Sequence, residues 1–100
     1  MTVPNIEEGN KISKILVQEK LAACVSIIPS IISTYWWKDK IEVEKEQLLI
    51  IKTIRRKSDL IIQRIQNIHS YENPECIQVP ITKGSENYLN WITNVVNTED

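Results

Sequence analysis

A mixed α+β domain is predicted from three observations. Apolar residues recur at helical spacing near both ends of the chain, as in Ile12, Ile15 and Leu16 and again in Ile61, Ile65 and Ile68. Between them, residues 22–54 are rich in β-branched and aromatic types and partly alternate apolar with charged side chains. The chain has 100 residues, enough for one domain and too few for two.

Asn5 reads as a helix N-cap, with Glu8 three residues on completing a capping-box pattern, and a first helix is expected over residues 6–20. Val25 to Pro29 and Ile31 to Trp37 read as extended, with Pro29 at a bulge because it cannot donate to a ladder. Lys38, Asp39 and Lys40 make a short turn. Ile41, Val43 and Lys45 then alternate with Glu42, Glu44 and Glu46 before Leu48 to Ile51 turns fully apolar, the pattern of a strand passing from solvent into a core. A second helix is expected over residues 57–68. Cys76 to Ile81 reads as another strand. A last helix is capped by Ser85, with Tyr88, Leu89, Ile92 and Val96 facing inward and Trp91 off that stripe. With a strand before the first helix this order is β-α-β-β-α-β, the ferredoxin-like sandwich with a long hairpin and an extra C-terminal helix. Only Thr2 and Val3, ahead of Pro4, are available for that first strand, which is expected to be cut short.

Each arm of the hairpin spans a dozen or more residues, against a usual five or six. At about 3.3 Å per residue this is on the order of 40 Å, more than a domain of this size covers. The overhang carries Tyr35, Trp36 and Trp37, which left bare would invite aggregation. Copies of the same chain are the economical cover, so a homo-oligomer is expected.

A net charge of −1 gives no electrostatic footprint for nucleic acid or an anionic membrane, and neither is expected as a partner. Arg55, Arg56 and Lys57 form the only basic run, and a solvated face is its ordinary reading. Two cysteines without a Cys-x-x-Cys pair cannot build a disulfide framework. With no secretory signal pattern and no apolar run of membrane-spanning length, a cytoplasmic location is expected.

The richest local stretch is His69-Ser70-Tyr71-Glu72-Asn73-Pro74-Glu75, where an imidazole, a phenol and two carboxylates share one short connection. Functional groups concentrated on a loop point to a site, and Pro74 biases Asn73 toward an extended backbone. His69 can ligate copper or zinc through a ring nitrogen, or cap the second helix. Glu72 and Glu75 can be hard ligands, or ion partners for Lys52. Cys24 and Cys76 are soft ligands if they converge with His69, and small hydrophobes if they do not. Tyr35, Trp36 and Trp37 form an aromatic wall suited to an interface or to a cleft between subunits.

Leu21-Ala22-Ala23-Cys24, Tyr35-Trp36-Trp37-Lys38, Lys52-Thr53, residues 69–75 and Tyr88-Leu89-Asn90-Trp91-Ile92 occur in an order and spacing that resembles the CutA divalent-cation tolerance family. The resemblance runs from Thr2 to about Val96. It implies a ferredoxin-like fold in a tight homotrimer similar to the PII signalling proteins, and a link to copper tolerance and metal binding. Some animal members are associated with protein interaction. The family's usual His-Pro-Tyr-Glu-Val-Pro-Glu appears here with Ser70 in place of its first proline, which is expected to loosen the loop. Ile68 stands where some members have a second histidine. The full apolar first strand is missing, so either the chain begins late relative to a precursor or a sheet position is left short.

The resemblance, together with the ligand-type residues of the loop, implies two alternative functions. In the first, a homotrimer binds copper(II) or another divalent cation at His69, Glu72, Glu75 and Cys24, with Trp36, Trp37, Lys52, Tyr71 and Trp91 around an inter-subunit cleft. In the second, a PII-like regulator or scaffold holds a small ligand or a protein partner in those clefts. No enzyme is expected. The paired carboxylates have no nucleophile beside them, and with 2 glycines the chain has no phosphate-cradling loop.

Overall fold

Asn5 adopts an extended backbone and its side chain accepts the Glu8 N–H at 2.8 Å, so α1 (Ile6–Gln18) begins where the sequence places it. The helix stops short of Lys20, which turns the chain in the left-handed region at φ 56°. The computed structural model describes residues 1–97. After α1 come β2 (Cys24–Trp37) and β3 (Lys40–Lys52), preceded at the start of the chain by a two-residue β1 (Thr2–Val3). A single 3₁₀ turn over Arg55–Lys57 leads into α2 (Ser58–Ile68), and α3 (Glu86–Asn97) follows an irregular connection.

The sheet is antiparallel in the order β1-β3-β2. Hairpin register runs from Cys24 opposite Lys52 at the base to Trp37 opposite Lys40 at the tip. It breaks once, between Ile28 and Ile31, where Pro29 and Ser30 form the expected bulge. Ser30 takes φ 61° and donates its N–H to Gln47 Oε1 at 2.9 Å, so the bulged backbone is not left unpaired. At the tip, Lys38 and Asp39 both have positive φ, 48° and 64°, the two-residue turn that matches strand twist.

The core forms where α1 and α2 cover one face of the sheet. Ile12 and Leu16 from α1, Ile61 and Ile65 from α2, and Val3 and Leu49 from the sheet are buried together. Gly9 lets α1 approach β1 closely, since a Cβ there would lie 3.3 Å from Val3 Cγ2. A smaller cluster seats Ile92 and Val96 of α3 on Ala23. Tyr88 departs from expectation. It faces solvent and lies against Trp91, with ring centroids 5.6 Å apart.

Residues 76–81 are not a strand, which corrects the sequence reading. The physical reason is the absence of a neighbour. Pairing between β1 and β3 covers only Thr2–Leu48 and Val3–Gln47, extended by Met1 and Leu49 exchanging backbone bonds. Past that point a groove of about 350 Å³ separates β3 from residues 76–81, lined by Ile51, Ile61, Cys76, Val79 and Ile92 among others. A segment with no adjacent backbone cannot complete a ladder, however β-prone its residues. The architecture is otherwise ferredoxin-like α+β with a long hairpin. No helix among the described residues is long and apolar enough to cross a membrane.

Candidate functional site

The connection that begins at His69 is fixed by five hydrogen bonds. Helix α2 ends at Ile68, and the His69 N–H returns to the Ile65 carbonyl at 2.9 Å. The imidazole is fully buried. Its Nε2 lies 2.8 Å from the Thr2 carbonyl and its Nδ1 accepts the Tyr71 N–H at 3.0 Å, which together define the neutral Nε2–H tautomer. Glu8 Oε2 accepts the Ser70 N–H at 3.0 Å and sits 3.4 Å from His69 Nδ1. A proline at position 70 would have no N–H to offer. Ser70 therefore ties the loop to α1 where loosening was expected. Buried Pro74 completes the platform.

Tyr71 then reaches across to the hairpin and donates its hydroxyl to Glu46 Oε2 at 2.8 Å. Glu46 is only 5% exposed, and a buried carboxylate is costly unless a donor answers it. Burial and the bond to Glu46, with its charge, push the Tyr71 phenol well above the ordinary tyrosine range. The Tyr35 phenol is also pushed up, by partial desolvation and then by the carboxylates of Glu44, Glu46 and Glu42. These three glutamates lie on one hairpin face because strand side chains alternate, and Tyr35 pairs with Glu42 on that face.

Between this face and the loop lies a cavity of about 750 Å³ lined by Tyr35, Trp36, Trp37, Glu46, Tyr71, Glu72 and Glu75 among others. The structure thus brings together most of the aromatic and acidic residues singled out from the sequence. It does not bring Cys24, Lys52 or Trp91 to them. Cys24 and Lys52 are opposite each other at the base of the hairpin, and Lys52 Nζ donates to Ser26 Oγ at 2.5 Å instead of meeting Glu72 or Glu75. Trp91 is on α3, against Tyr88. Cys76 packs on the main core, and burial pushes its thiol up, as for a small hydrophobe.

Three residues of the site were not anticipated. Glu8 reads from sequence as a capping residue, yet its carboxylate serves the loop. Glu46 reads as one more solvent-facing member of an alternating run. The available signal was its position, where alternation gives way to the apolar half of the strand. Thr2 contributes only its carbonyl, which no side-chain pattern reveals.

The donor set does not by itself close around a metal ion. Both His69 ring nitrogens are engaged, and among the described residues no three His, Cys, Asp or Glu side chains are placed to hold one.

Comparison with known proteins agrees with the fold. Residues 1–95 match the family model of the CutA1 divalent ion tolerance protein. The chain is 47% identical over 94 residues to the chloroplastic protein CutA of Arabidopsis thaliana, covering 94% of this chain and 52% of that one. It is 38% identical to the divalent-cation tolerance protein CutA of Thermus thermophilus, covering 92% and 89%. The chain spans about half the length of the plant relatives it matches. Among solved structures, the periplasmic divalent cation tolerance protein CutA of Archaeoglobus fulgidus superposes with a TM-score of 0.93 at 40% identity, covering 96% and 93%. CutA1 of Oryza sativa superposes at 0.91 with 44% identity, covering 94% and 86%.

Proposed function

The chain belongs to the CutA1 divalent ion tolerance family, and from that premise we propose that it is a non-catalytic homotrimer that binds divalent cations, copper(II) foremost, at the 69–75 loop. The observation that carries this reading is the sign of the site. Glu46, Glu72 and Glu75 line the cavity, and none of its lining residues is lysine or arginine. Glu72 and Glu75 are exposed, Glu75 with an ion pair to the Met1 ammonium at 3.8 Å that an incoming cation would compete with. His69 joins them by releasing the Tyr71 N–H from Nδ1, which leaves the Nε2 contact to Thr2 in place to orient the ring.

One chain supplies too few donors, so the remaining ones come from a neighbouring copy. The trimer, similar to that of the PII proteins, is supported by the bare hairpin face described below. In such an assembly Lys52 and Trp91 join the cleft only from another subunit, and Cys24 at the hairpin base is a ligand only on the same terms.

A calorimetric titration of the metal-stripped protein with copper(II), zinc and magnesium tests the reading. Micromolar or tighter copper(II) binding near one ion per subunit is expected, weakened at least tenfold in His69→Ala and in the Glu72→Gln/Glu75→Gln double variant. Unchanged uptake in both variants would sink the loop assignment. Absence of copper heat would favour the second reading, a PII-like regulator or scaffold with a small ligand or protein partner in the clefts. That alternative draws on the volume of the cavity, which lies within the range of small-molecule sites.

A further inference from the structure

We infer that the cavity between the hairpin tip and the 69–75 loop takes an organic cation, an ammonium or guanidinium group carried on a short apolar body. This goes beyond metal binding and rests on three features of the cavity together.

The first is charge. Alternation along β3 puts Glu42, Glu44 and Glu46 on the same hairpin face as Tyr35, and the loop adds Glu72 and Glu75. Lys40 is opposite Trp37 on that face and Lys38 is in the adjoining turn. The Met1 ammonium is committed to the Leu49 carbonyl at 3.1 Å and to Glu75 at 3.8 Å. The balance around the cavity is negative, which excludes a phosphorylated ligand held by charge.

The second is the wall. Tyr35, Trp37 and Tyr71 offer aromatic surfaces to a cation, and the molecule already displays the interaction. Lys38 Nζ stands 5.7 Å from the Trp37 ring centroid. A free ligand of the same chemistry would meet the same ring with carboxylates close by.

The third is size. Metal ions need donor atoms converging within about 2.0–2.6 Å of one point. Here the carboxylates are spread along about 750 Å³, and no three ligand-type side chains among the described residues converge. Within one chain a cation with a hydrocarbon body can span carboxylate and aromatic surface at once, whereas a bare ion needs further donors from a neighbouring copy.

The test is a titration of the assembled, metal-stripped protein in chelator-treated buffer with agmatine, followed by calorimetry. N-butylurea serves as a neutral probe and butyl phosphate as an anionic one. Agmatine is expected to bind with a submillimolar Kd, at least tenfold tighter than either. Glu44→Gln and Trp37→Leu are each expected to weaken it at least threefold, and Glu46→Gln at least tenfold. Should Glu46→Gln fail to fold, the two exposed positions still report. No agmatine binding, equal binding of the neutral or anionic probe, or wild-type affinity in Glu44→Gln and Trp37→Leu would each overturn the inference. With divalent ions removed, such a failure is separate from the result of the copper(II) titration.

Discussion

At the scale of single residues, the contact between Tyr71 and Glu46 decides how loop and hairpin are joined. Replacing Tyr71 with Phe keeps the ring and removes the donor, leaving a buried carboxylate short of a partner. A loss of about 1–3 kcal/mol in stability is expected, read from the urea midpoint of Tyr71→Phe against wild type. The same residue sets an alkaline limit. Its folded pKa lies above the unfolded value, so the folded state holds the phenolic proton more tightly than the unfolded chain does. Stability is therefore complete below the unfolded pKa near 10 and falls as pH rises past it. Melting temperatures recorded between pH 8 and 11 should drop more steeply for wild type than for Tyr71→Phe. Equal slopes would show that another group controls the alkaline side. His69 teaches a related lesson about reading residues. Its type and place on the loop were visible, but both its ring nitrogens are engaged by backbone groups, one of them from Thr2 at the far end of the sequence.

At the scale of elements, α1, α2 and the hairpin were readable because each has one strong period and recognisable end signals. The Asn5 cap, the Pro29 bulge and the Lys38–Asp39 turn all occur where local chemistry places them. That turn still carries strain. Two non-glycine residues occupy the left-handed region, which disfavours side chains by roughly 1–2 kcal/mol per residue. Asp39→Gly should relieve part of this, offset by the added freedom glycine gives the unfolded chain, for a net gain of about 0.5–1 kcal/mol. Thermal unfolding at fixed protein concentration checks it, and a loss of stability would mean the Asp39 side chain has a role beyond the turn. The strand expected over residues 76–81 fails for the opposite reason. Its composition is right, but a strand is a relation between two backbones, and the groove beside it holds none.

At the scale of the whole molecule, the long dimension is 44 Å against 28 and 21 Å, matching the reach estimated for the hairpin. Along one of its faces Ile32, Trp36, Ile41 and Val43 are 72%, 71%, 60% and 62% exposed. Cross-strand register places them together, since Trp36 pairs with Ile41 and Thr34 with Val43. An apolar strip on a two-stranded ribbon is poorly tolerated in water unless something covers it. Copies of the same chain are the proposed cover, and the proposed trimer predicts about three times the chain mass of 11.6 kDa by light scattering. Ile32→Lys combined with Trp36→Glu should lower that toward one chain. An assembly unchanged by the double variant would place the interface elsewhere.

The sequence by itself determined the α+β class, the helices, the length and bulge of the hairpin, and the loop where functional groups gather. Those properties depend on neighbours a few residues apart, and local periodicity and turn chemistry record them. Only the tertiary structure decided which groups meet. It brought Thr2 to His69, Glu8 to Ser70 and Glu46 to Tyr71, left Cys24 and Lys52 at the far end of the hairpin, and denied residues 76–81 a partner. Each of these depends on contacts between segments distant in sequence, set by how the helices and the loop pack on the sheet, and no local pattern encodes that packing.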